Sequence, residues 1–208
     1  MKHLLPDGRE LMVCYDDIKD FFDRNRIIGR TITNIRPAAF DYIIRNIGDI
    51  DNVYELDTES AIDTDGQICL IFEDGDNLEI EFSGDGPILL GFNTANFEKY
   101  PKATGNCYTL CTLFKHCLGH KVVDIVFERS DHRMLFPAYR GIDMSAYDEG
   151  IDDIKIVLDD GSYLLARGSI DYFNFEHHSQ DGNELRVPFK ELLSELNEET
   201  LSWIFDEE

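Results

Sequence analysis

The sequence has 208 residues, of which 43% are apolar and 12% aromatic, a composition too hydrophobic for a disordered chain and sufficient for a globular core. The 42 acidic residues against 19 basic ones give a formal net charge of −23 and a pI near 4.4. Such a charge repels nucleic acids and anionic membranes, so we expect a basic protein partner, no nucleic acid and no membrane. Solubility alone is the alternative reason for the acidity.

The cysteine usage and the distribution of apolar residues predict a reduced, cytoplasmic protein. No apolar run approaches the roughly 20 residues that a membrane-spanning helix needs. The first ten residues reach Pro6, Asp7 and Gly8 before any long apolar segment, so we expect no signal peptide. The five cysteines are an odd number for a disulfide framework.

The first predicted element is an amphipathic helix. It would begin at Asp16, a candidate N-cap, and place Ile18, Phe21 and Phe22 on one apolar face. Gly29 would end the helix in the left-handed conformation that glycine adopts without steric cost. A β-branched strand then follows.

The stretch LIFEDGDNLEI at 70–80 predicts a β-hairpin, because Asp-Gly supplies the positive φ of a tight turn between two apolar runs. The strand at 67–73 is apolar on both faces and should lie inside a sheet. Its partner alternates apolar residues with Glu79 and Glu81, which predicts one buried face and one solvated face. A last strand is predicted at 87–93.

The same order of elements recurs in the second half of the sequence. A helix from Asn106 leads to Gly119, a β-branched strand follows, and a second hairpin, IVLDDGSYLLA, lies at 156–166. The hairpin glycine follows the helix-end glycine by 46 residues in the first half and by 42 in the second. This agreement in order and spacing indicates an internal duplication.

These patterns predict an α+β, β-rich fold of two homologous helix-plus-antiparallel-sheet units with a C-terminal helical segment. We predict a first unit at 1–95, a linker at 96–105, a second unit at 106–178 and the C-terminal helical segment at 179–208, packed on the units. Pro188 would stand at the start of the last helix.

Two segments are candidates for a metal site, and neither fits one. In the acidic loop 48–66 the calcium-loop spacing places Ala61 and Phe72 where the first and last oxygen ligands are required. The cysteines and histidines of 107–120 lie on one helix and its exit, where they could not readily surround one ion. We therefore predict no metal and no cofactor.

His177 is the candidate general base, with His178, Asp171 and Glu176 nearby in the sequence. No Gly-x-Ser-x-Gly motif and no glycine-rich phosphate loop accompanies it. We therefore predict no catalytic residue and favour a binding function without enzymatic activity. The alternative is a hydrolase or a metal-dependent enzyme that uses the loop carboxylates or His177.

The segments IGRTITNI and LIFEDGDNLEIEFSGDG resemble the N-terminal β-rich domain of the formamidopyrimidine-DNA glycosylases, which also has Gly-Arg, an alternating strand and a Phe-x-Asp-Gly hairpin. The resemblance covers about one unit. The family's nucleophilic proline and adjoining glutamate are missing, since the chain begins Met1-Lys2-His3, and a charge of −23 opposes binding to DNA. A diverged glycosylase-like domain without activity is therefore a further alternative.

In its size, acidity, α+β pattern and Asp-Gly hairpins the chain is also similar to bacterial immunity proteins, which neutralise secreted toxin domains. This resemblance implies an inhibitor of a basic toxin or nuclease domain and carries over no binding residue. We expect the contact surface in the loops 48–66 and 139–153, which follow the first strand of each unit. The candidate contact residues are Asp49, Asp51, Tyr54, Asp57, Asp63, Asp65, Tyr139, Tyr147, Asp148 and Glu149.

Overall fold

A computed structural model describes the larger part of the chain, and over that part the protein is mostly antiparallel sheet with one α-helix. The predicted β-rich α+β class is therefore correct. No helix among these residues is long and apolar enough to span a membrane. The described residues are 3–12, 14–37, 67–82, 88–95, 112–130, 138–139, 142–143, 150–168 and 173–185.

The strands form two main sheets and one short ribbon. The strands are β1 (His3–Leu4), β2 (Glu10–Leu11), β3 (Ile32–Pro37), β4 (Ile68–Phe72), β5 (Asn77–Phe82), β6 (Ile88–Phe92), β7 (Val122–Ser130), β8 (Ala138–Tyr139), β9 (Ile142–Asp143), β10 (Gly150–Leu158), β11 (Tyr163–Gly168) and β12 (Phe173–His178). The first sheet has the order β1-β2-β6-β5-β4-β3, the second has the order β12-β11-β10-β7, and β8 pairs with β9. The strand order β6-β5-β4-β3 in the first sheet thus corresponds to β12-β11-β10-β7 in the second.

The helix α1 (Tyr15–Arg24) buries Ile18, Phe21 and Phe22, as its apolar spacing predicts. Its side chains pack across the molecule: the ring of Phe22 lies 5.6 Å, centroid to centroid, from the ring of Phe127 on β7. The helix of the first half therefore contacts the first strand of the second half.

Both ends of α1 differ from the prediction. The N-cap is Cys14, which has extended backbone and makes no side-chain capping hydrogen bond, whereas Asp16 lies inside the first turn. The helix ends at Arg24, well before Gly29. Gly29 does have a positive φ of 96°, but this conformation serves the contact between the halves rather than a helix end.

The second predicted helix is represented among the described residues by a 3₁₀ helix, Thr112–Cys117. Phe114 and Cys117 are buried, and burial raises the pKa of the Cys117 thiol to about 12. The 3₁₀ helix contacts β3 of the first half, which mirrors the contact between α1 and β7. The predicted start at Asn106 lies outside the described residues.

The two sheets share one strand register. Ile35 of β3 pairs with Leu70 of β4, and Ile125 of β7 pairs with Ile156 of β10. Both pairs also carry a bulge at the same place: one residue is skipped after Ile32 in β3 and one after Val122 in β7. A bulge re-aims the strand and increases its local twist, so the two first strands bend alike.

Asp-Gly turns join β4 to β5 and β10 to β11, as predicted. Gly75 and Gly161 both have a φ of 87°, which only glycine adopts at low cost. Two further turns, at Gly8 and Gly182, have similar φ angles of 91° and 83° and the same pattern of backbone hydrogen bonds. The turn at Gly8 joins β1 to β2, a hairpin that the sequence analysis did not predict.

The halves are joined where their first strands begin. Thr31 and Lys121 form an antiparallel bridge, flanked by two pairs of matching backbone hydrogen bonds. These four bonds are Gly29 N to Val122 O (2.8 Å), Gly119 N to Ile32 O (2.7 Å), Ile32 N to His120 O (2.9 Å) and Val122 N to Arg30 O (2.9 Å). If the two halves are exchanged, each bond takes the place of the other bond of its pair. The contact between the halves therefore has approximate two-fold symmetry.

One hydrophobic core includes residues of both sheets. Buried side chains of β3, β4, β5 and β6 form a single cluster with those of β7, β10, β11 and β12, and Ile32 and Val122 are completely buried within it. The inward residues Ile154, Ile156 and Leu158 of β10 belong to this cluster.

The prediction that the second face of β5 is solvated is wrong at Glu79, which is 1% exposed. Thr94 Oγ1 donates a hydrogen bond to the Glu79 carboxylate, and Arg9 forms an ion pair with Glu81 on the same face. Gly91 on the neighbouring strand allows this contact, since a Cβ there would overlap Thr94 and come within 2.9 Å of Glu79 Oε2. Buried charges are retained when they are hydrogen-bonded in this way.

Several predictions fall on segments outside the described residues. These are the linker at 96–105, the helix start at Pro188 and the part of the C-terminal segment after residue 185.

Candidate functional site at the turn junction

The two hairpin turns meet the bridge between the halves. Glu73 N donates to Thr31 O and Asp159 N donates to Lys121 O, each over 2.9 Å. Each turn is therefore one hydrogen bond away from the bridging pair of residues. We call residues 73–76 and 159–162, together with Arg30 and His120, the turn junction.

Arg30 fixes the turn of the first half. Its Nη1 atom lies 2.6 Å from Asp74 Oδ2 and 2.7 Å from Asp76 Oδ2, so one guanidinium bridges two carboxylates. The guanidinium also lies 5.0 Å from the centre of the Phe92 ring. The hydrogen bonds from Asn93 and Arg30 lower the pKa of Asp76 below its ordinary value. Arg30 is thus held by charge and by an aromatic ring.

His120 has the same position in the second half. Its Nδ1 atom lies 2.8 Å from Asp159 Oδ1, and its Nε2 atom lies 3.5 Å from Asp160 Oδ2. The hydrogen bond with His120 lowers the pKa of Asp159. Arg30 and His120 each precede a bridging residue, and each bridges two side chains of its own turn.

A hydrogen-bonded chain leads inward from Asp160. Ser162 Oγ donates to Asp160 Oδ1 over 2.6 Å, and His177 Nε2 lies 3.0 Å from Ser162 Oγ. Because the serine proton points to Asp160, the Nε2–H of His177 donates to the serine oxygen. Burial opposes ionisation of Asp160, but the hydrogen bonds from Ser162 and the nearby imidazoles keep its pKa below the ordinary value.

His177 is buried, with 2% of its surface exposed, and its Nδ1 atom has no hydrogen-bond partner among the described residues. Burial lowers the pKa of His177 to about 4, so the ring is neutral near pH 7. His177 is the penultimate residue of β12, and its side chain is nevertheless buried.

The chain of Asp160, Ser162 and His177 contains the residue types of a catalytic triad in a different arrangement. In a triad the carboxylate orients the imidazole and the imidazole takes the serine proton. Here the serine lies between the other two, its hydroxyl donates to the carboxylate, and it is 4% exposed. This geometry buries and orders the turn and does not activate a nucleophile.

His120, Asp159 and Asp160 bring three potential metal ligands within 4.8 Å of one another. Both imidazole nitrogens already face carboxylate oxygens, at 2.8 and 3.5 Å. Arg30 makes the corresponding bridge in the first half, and arginine is not a metal ligand. The three side chains therefore fit a bridge in which His120 contacts two carboxylates, as Arg30 does in the first half, better than they fit a metal centre.

Most sequence-predicted contact residues lie outside the described part of the chain. Tyr139 is the exception: it lies in β8 and pairs with Ile142 of β9. Of the cysteines that the sequence analysis considered and rejected as metal ligands, Cys117 is buried and free of a disulfide, and Cys107 and Cys111 lie outside the described residues.

The sequence did not predict that Arg30, His120, Asp159 and Ser162 belong to one site. A signal was present, because Gly-Arg at 29–30 and Gly-His at 119–120 occupy corresponding places in the predicted duplication. No protein-family model, curated protein or solved structure matches this chain.

Proposed function

We propose that this protein is a non-enzymatic, acidic protein-binding module whose partner is a basic macromolecule, in the manner of an immunity protein that neutralises a cationic toxin or nuclease domain. The observation that carries the proposal is the charge of the turn junction. Five carboxylates lie there, three in residues 73–76 and two in residues 159–162, and Arg30 pairs with two of the first three.

The exposure of these carboxylates supports a binding role. The side chain of Asp74 is 55% exposed and that of Asp159 is 45% exposed. Glu73, whose backbone N–H donates to Thr31 of the bridge, is also exposed. A carboxylate that stays ionised and exposed on a rigid turn can attract and orient a basic partner. The buried serine and neutral His177 nearby support a binding module rather than a hydrolase.

We further infer that the halves are copies of one unit, which would give the partner two related turns to contact. The shared strand order, the bulge after Ile32 and Val122, and the paired hydrogen bonds of Gly29 and Gly119 support this inference. The predicted contact loops 48–66 and 139–153 then follow equivalent strands along the chain. Their contact residues stay a prediction.

The test is capture of partners by the immobilised full-length protein from lysate of its source organism, at about 50 mM and about 500 mM salt. We expect basic proteins to be retained at low salt and released at high salt. Association rates of the purified partner would then be measured for a junction variant, Glu73→Gln, Asp74→Asn and Asp159→Asn combined. We expect a decrease of about tenfold or more.

The matched control places the same loss of charge on helix α1, as Asp16→Asn, Asp20→Asn and Asp23→Asn combined. Asp23 pairs with Lys19 and Asp20 pairs with Arg24 at the exposed surface of the helix, where ion pairs contribute little, so the fold should tolerate the loss of these pairs. We expect this variant to bind nearly as fast as the wild type. Retention of no basic protein, or equal rates for the two variants, would contradict the proposal.

A further inference from the structure

We propose that Asp181 is a site of spontaneous covalent modification, where the Asp181–Gly182 linkage isomerises to isoaspartate while the other described Asp-Gly turns are protected. The site lies outside the turn junction, and the inference does not depend on the proposed function.

The reaction needs only an aspartate and the glycine that follows it. The glycine backbone nitrogen attacks the side-chain carbonyl carbon of the aspartate. A C–N bond forms, a C–O bond breaks, and the amide proton leaves with the carboxyl oxygen as water. The resulting succinimide takes up water at either carbonyl group, which gives aspartate or isoaspartate. Glycine favours the attack because it has no Cβ to hinder the close approach.

Four Asp-Gly turns lie within the described residues, at 5–9, 72–76, 158–162 and 179–183, and they share one backbone geometry. In each turn the first residue donates to the carbonyl of the fifth, and the glycine donates to the carbonyl of the first, with N···O distances of 2.7 to 3.0 Å. The four aspartates are all exposed. Asp65 and Asp85 also precede glycine but lie outside the described residues. Differences among the four turns must therefore come from side chains.

In three of these turns the aspartate side chain is held in place. The backbone N–H of the residue after the glycine donates to Oδ1 of the aspartate, which forms an Asx turn. The N···O distances are 3.1 Å from Arg9 to Asp7, 3.1 Å from Asp76 to Asp74 and 2.9 Å from Ser162 to Asp160. Each carboxylate also accepts a hydrogen bond from a side chain: Asp7 from Arg9, Asp74 from Arg30 and Asp160 from Ser162.

The turn at 179–183 lacks this restraint because its first residue is a serine. Ser179 Oγ accepts the hydrogen bond from Asn183 N, over 3.2 Å, so this N–H does not donate to Asp181. The carboxylate of Asp181 has no hydrogen bond or ion pair with any described residue. The three protected turns begin with apolar residues that cannot accept a hydrogen bond: Leu5, Phe72 and Leu158.

The free carboxyl group of Asp181 can therefore take the geometry that cyclisation requires. Its side chain must rotate until the carbonyl carbon faces Gly182 N, and the departing oxygen must take up a proton. Hydrogen bonds to both oxygens of an ionised carboxylate oppose both steps in the protected turns. The hydrogen bond of the glycine nitrogen must also open, but this cost is similar in all four turns.

Isomerisation at Asp181 would loosen the end of the second sheet. Isoaspartate adds one carbon atom to the main chain, which disrupts the hydrogen bonds of the turn. The chain that leaves the turn pairs with β12 through the bridge between His178 and Glu184 and the bond from Leu185 N to His177 O, over 2.6 Å. We expect this pairing to weaken as the modification accumulates.

The test is incubation of the folded full-length protein at neutral pH and physiological temperature for several weeks, followed by proteolysis and liquid chromatography with mass spectrometry. Isoaspartyl and aspartyl peptides have equal masses and separate by retention time. We expect isoaspartate to form at Asp181 at least about fivefold faster than at the other three sites, the factor that one hydrogen bond contributes. In urea-unfolded protein the four sites should react at similar rates.

The variant Ser179→Ala gives this turn an apolar first residue, as in the other three turns. It frees Asn183 N to donate to Asp181, so we expect isomerisation at Asp181 to become about fivefold slower. Gln180→Ala is the matched control in the same turn and should keep the wild-type rate. The proposal would be overturned by a wild-type rate at Asp181 no higher than at the other three sites. An undiminished rate in Ser179→Ala, or an equal decrease in Gln180→Ala, would also overturn it.

Discussion

His177 and its neighbour in β12 lie in different environments, because the side chain of His177 is buried and that of its neighbour is partly exposed. The His177 ring is inside the core and donates to Ser162, whereas His178 stacks on Tyr163 with ring centroids 5.1 Å apart and lies 2.7 Å from Glu176. Alternation along a strand places successive side chains on opposite faces, so two adjacent histidines experience opposite environments.

We predict that burial of His177 makes the protein less stable in acid. The pKa of His177 is about 4 in the folded protein and near 6.5 for an ordinary histidine, so only the unfolded chain takes up the proton between these values. Stability is therefore full above about pH 6.5, falls as the pH decreases and has lost at most about 3 kcal/mol below about pH 4. Urea unfolding between about pH 7 and pH 4.5 measures this loss.

The variant His177→Gln should be less stable at neutral pH and should lose less stability in acid than the wild type does. His178→Gln is the matched control and should keep the wild-type decline. An unchanged decline in His177→Gln would show that another group causes it.

The identities of buried polar residues could not be predicted from the sequence. Glu79 alternates with Leu78 and Ile80, and this pattern correctly gives the inward face of β5. Whether the other face is solvated depends on which elements pack against it. The alternation of apolar and polar residues along a strand carries no information about that packing. The same holds for His177, whose partner Ser162 is distant in sequence and adjacent only through the pairing of β11 with β12.

At the scale of elements, the N-terminus of helix α1 lacks a capping side chain. Cys14 has φ −150° and ψ 168°, the extended conformation of an N-cap, but a thiol is a weak acceptor. Asp16 and Asp17 in the first turn partly compensate, because acidic residues interact favourably with the N-terminal end of the helix dipole.

We therefore predict that Cys14→Ser stabilises the protein by about 1 kcal/mol, because the hydroxyl can accept a hydrogen bond from a free backbone N–H of the first turn. Urea unfolding at neutral pH checks this value. Cys14→Ala is the control, since it removes the thiol without adding an acceptor, and it should not be stabilising. Equal stabilities of the serine and alanine variants would contradict the capping explanation.

The elements that the sequence predicts well are those with strong local signals. The apolar face of α1 and the turns at Gly75 and Gly161 depend on nearby residues, and the structure has all of them. The hairpin at Gly8 has the same Asp-Gly signal, but its flanking strands have only two residues each and no periodicity. The helix ends early because Arg26, two residues after Arg24, has the left-handed conformation (φ 50°), and no glycine marks that position in the sequence.

At the scale of the whole molecule, the sequence predicts a duplication but not how the two halves pack. The similar glycine spacings of 46 and 42 residues predict two similar units, but the cross-packing of α1 on β7 and of the 3₁₀ helix on β3 is a tertiary feature. Each half thus covers part of the other, and Ile32 and Val122 meet in the shared core. The turn junction exists only because the halves are joined in this way.

This shared core predicts that the described parts of the two sheets unfold together. Ile32→Ala removes a completely buried side chain beside the bridge and should cost about 2 to 5 kcal/mol. If unfolding is cooperative, the most protected amides of β4 and of β10 should lose the same amount of protection against hydrogen exchange. Leu4→Ala is the control, because this residue is 67% exposed and its loss should change neither sheet. A loss of protection confined to β4 and its neighbours would mean that the second sheet is stable without the first. The four backbone hydrogen bonds that flank the bridge between the halves would then connect two independent folding units.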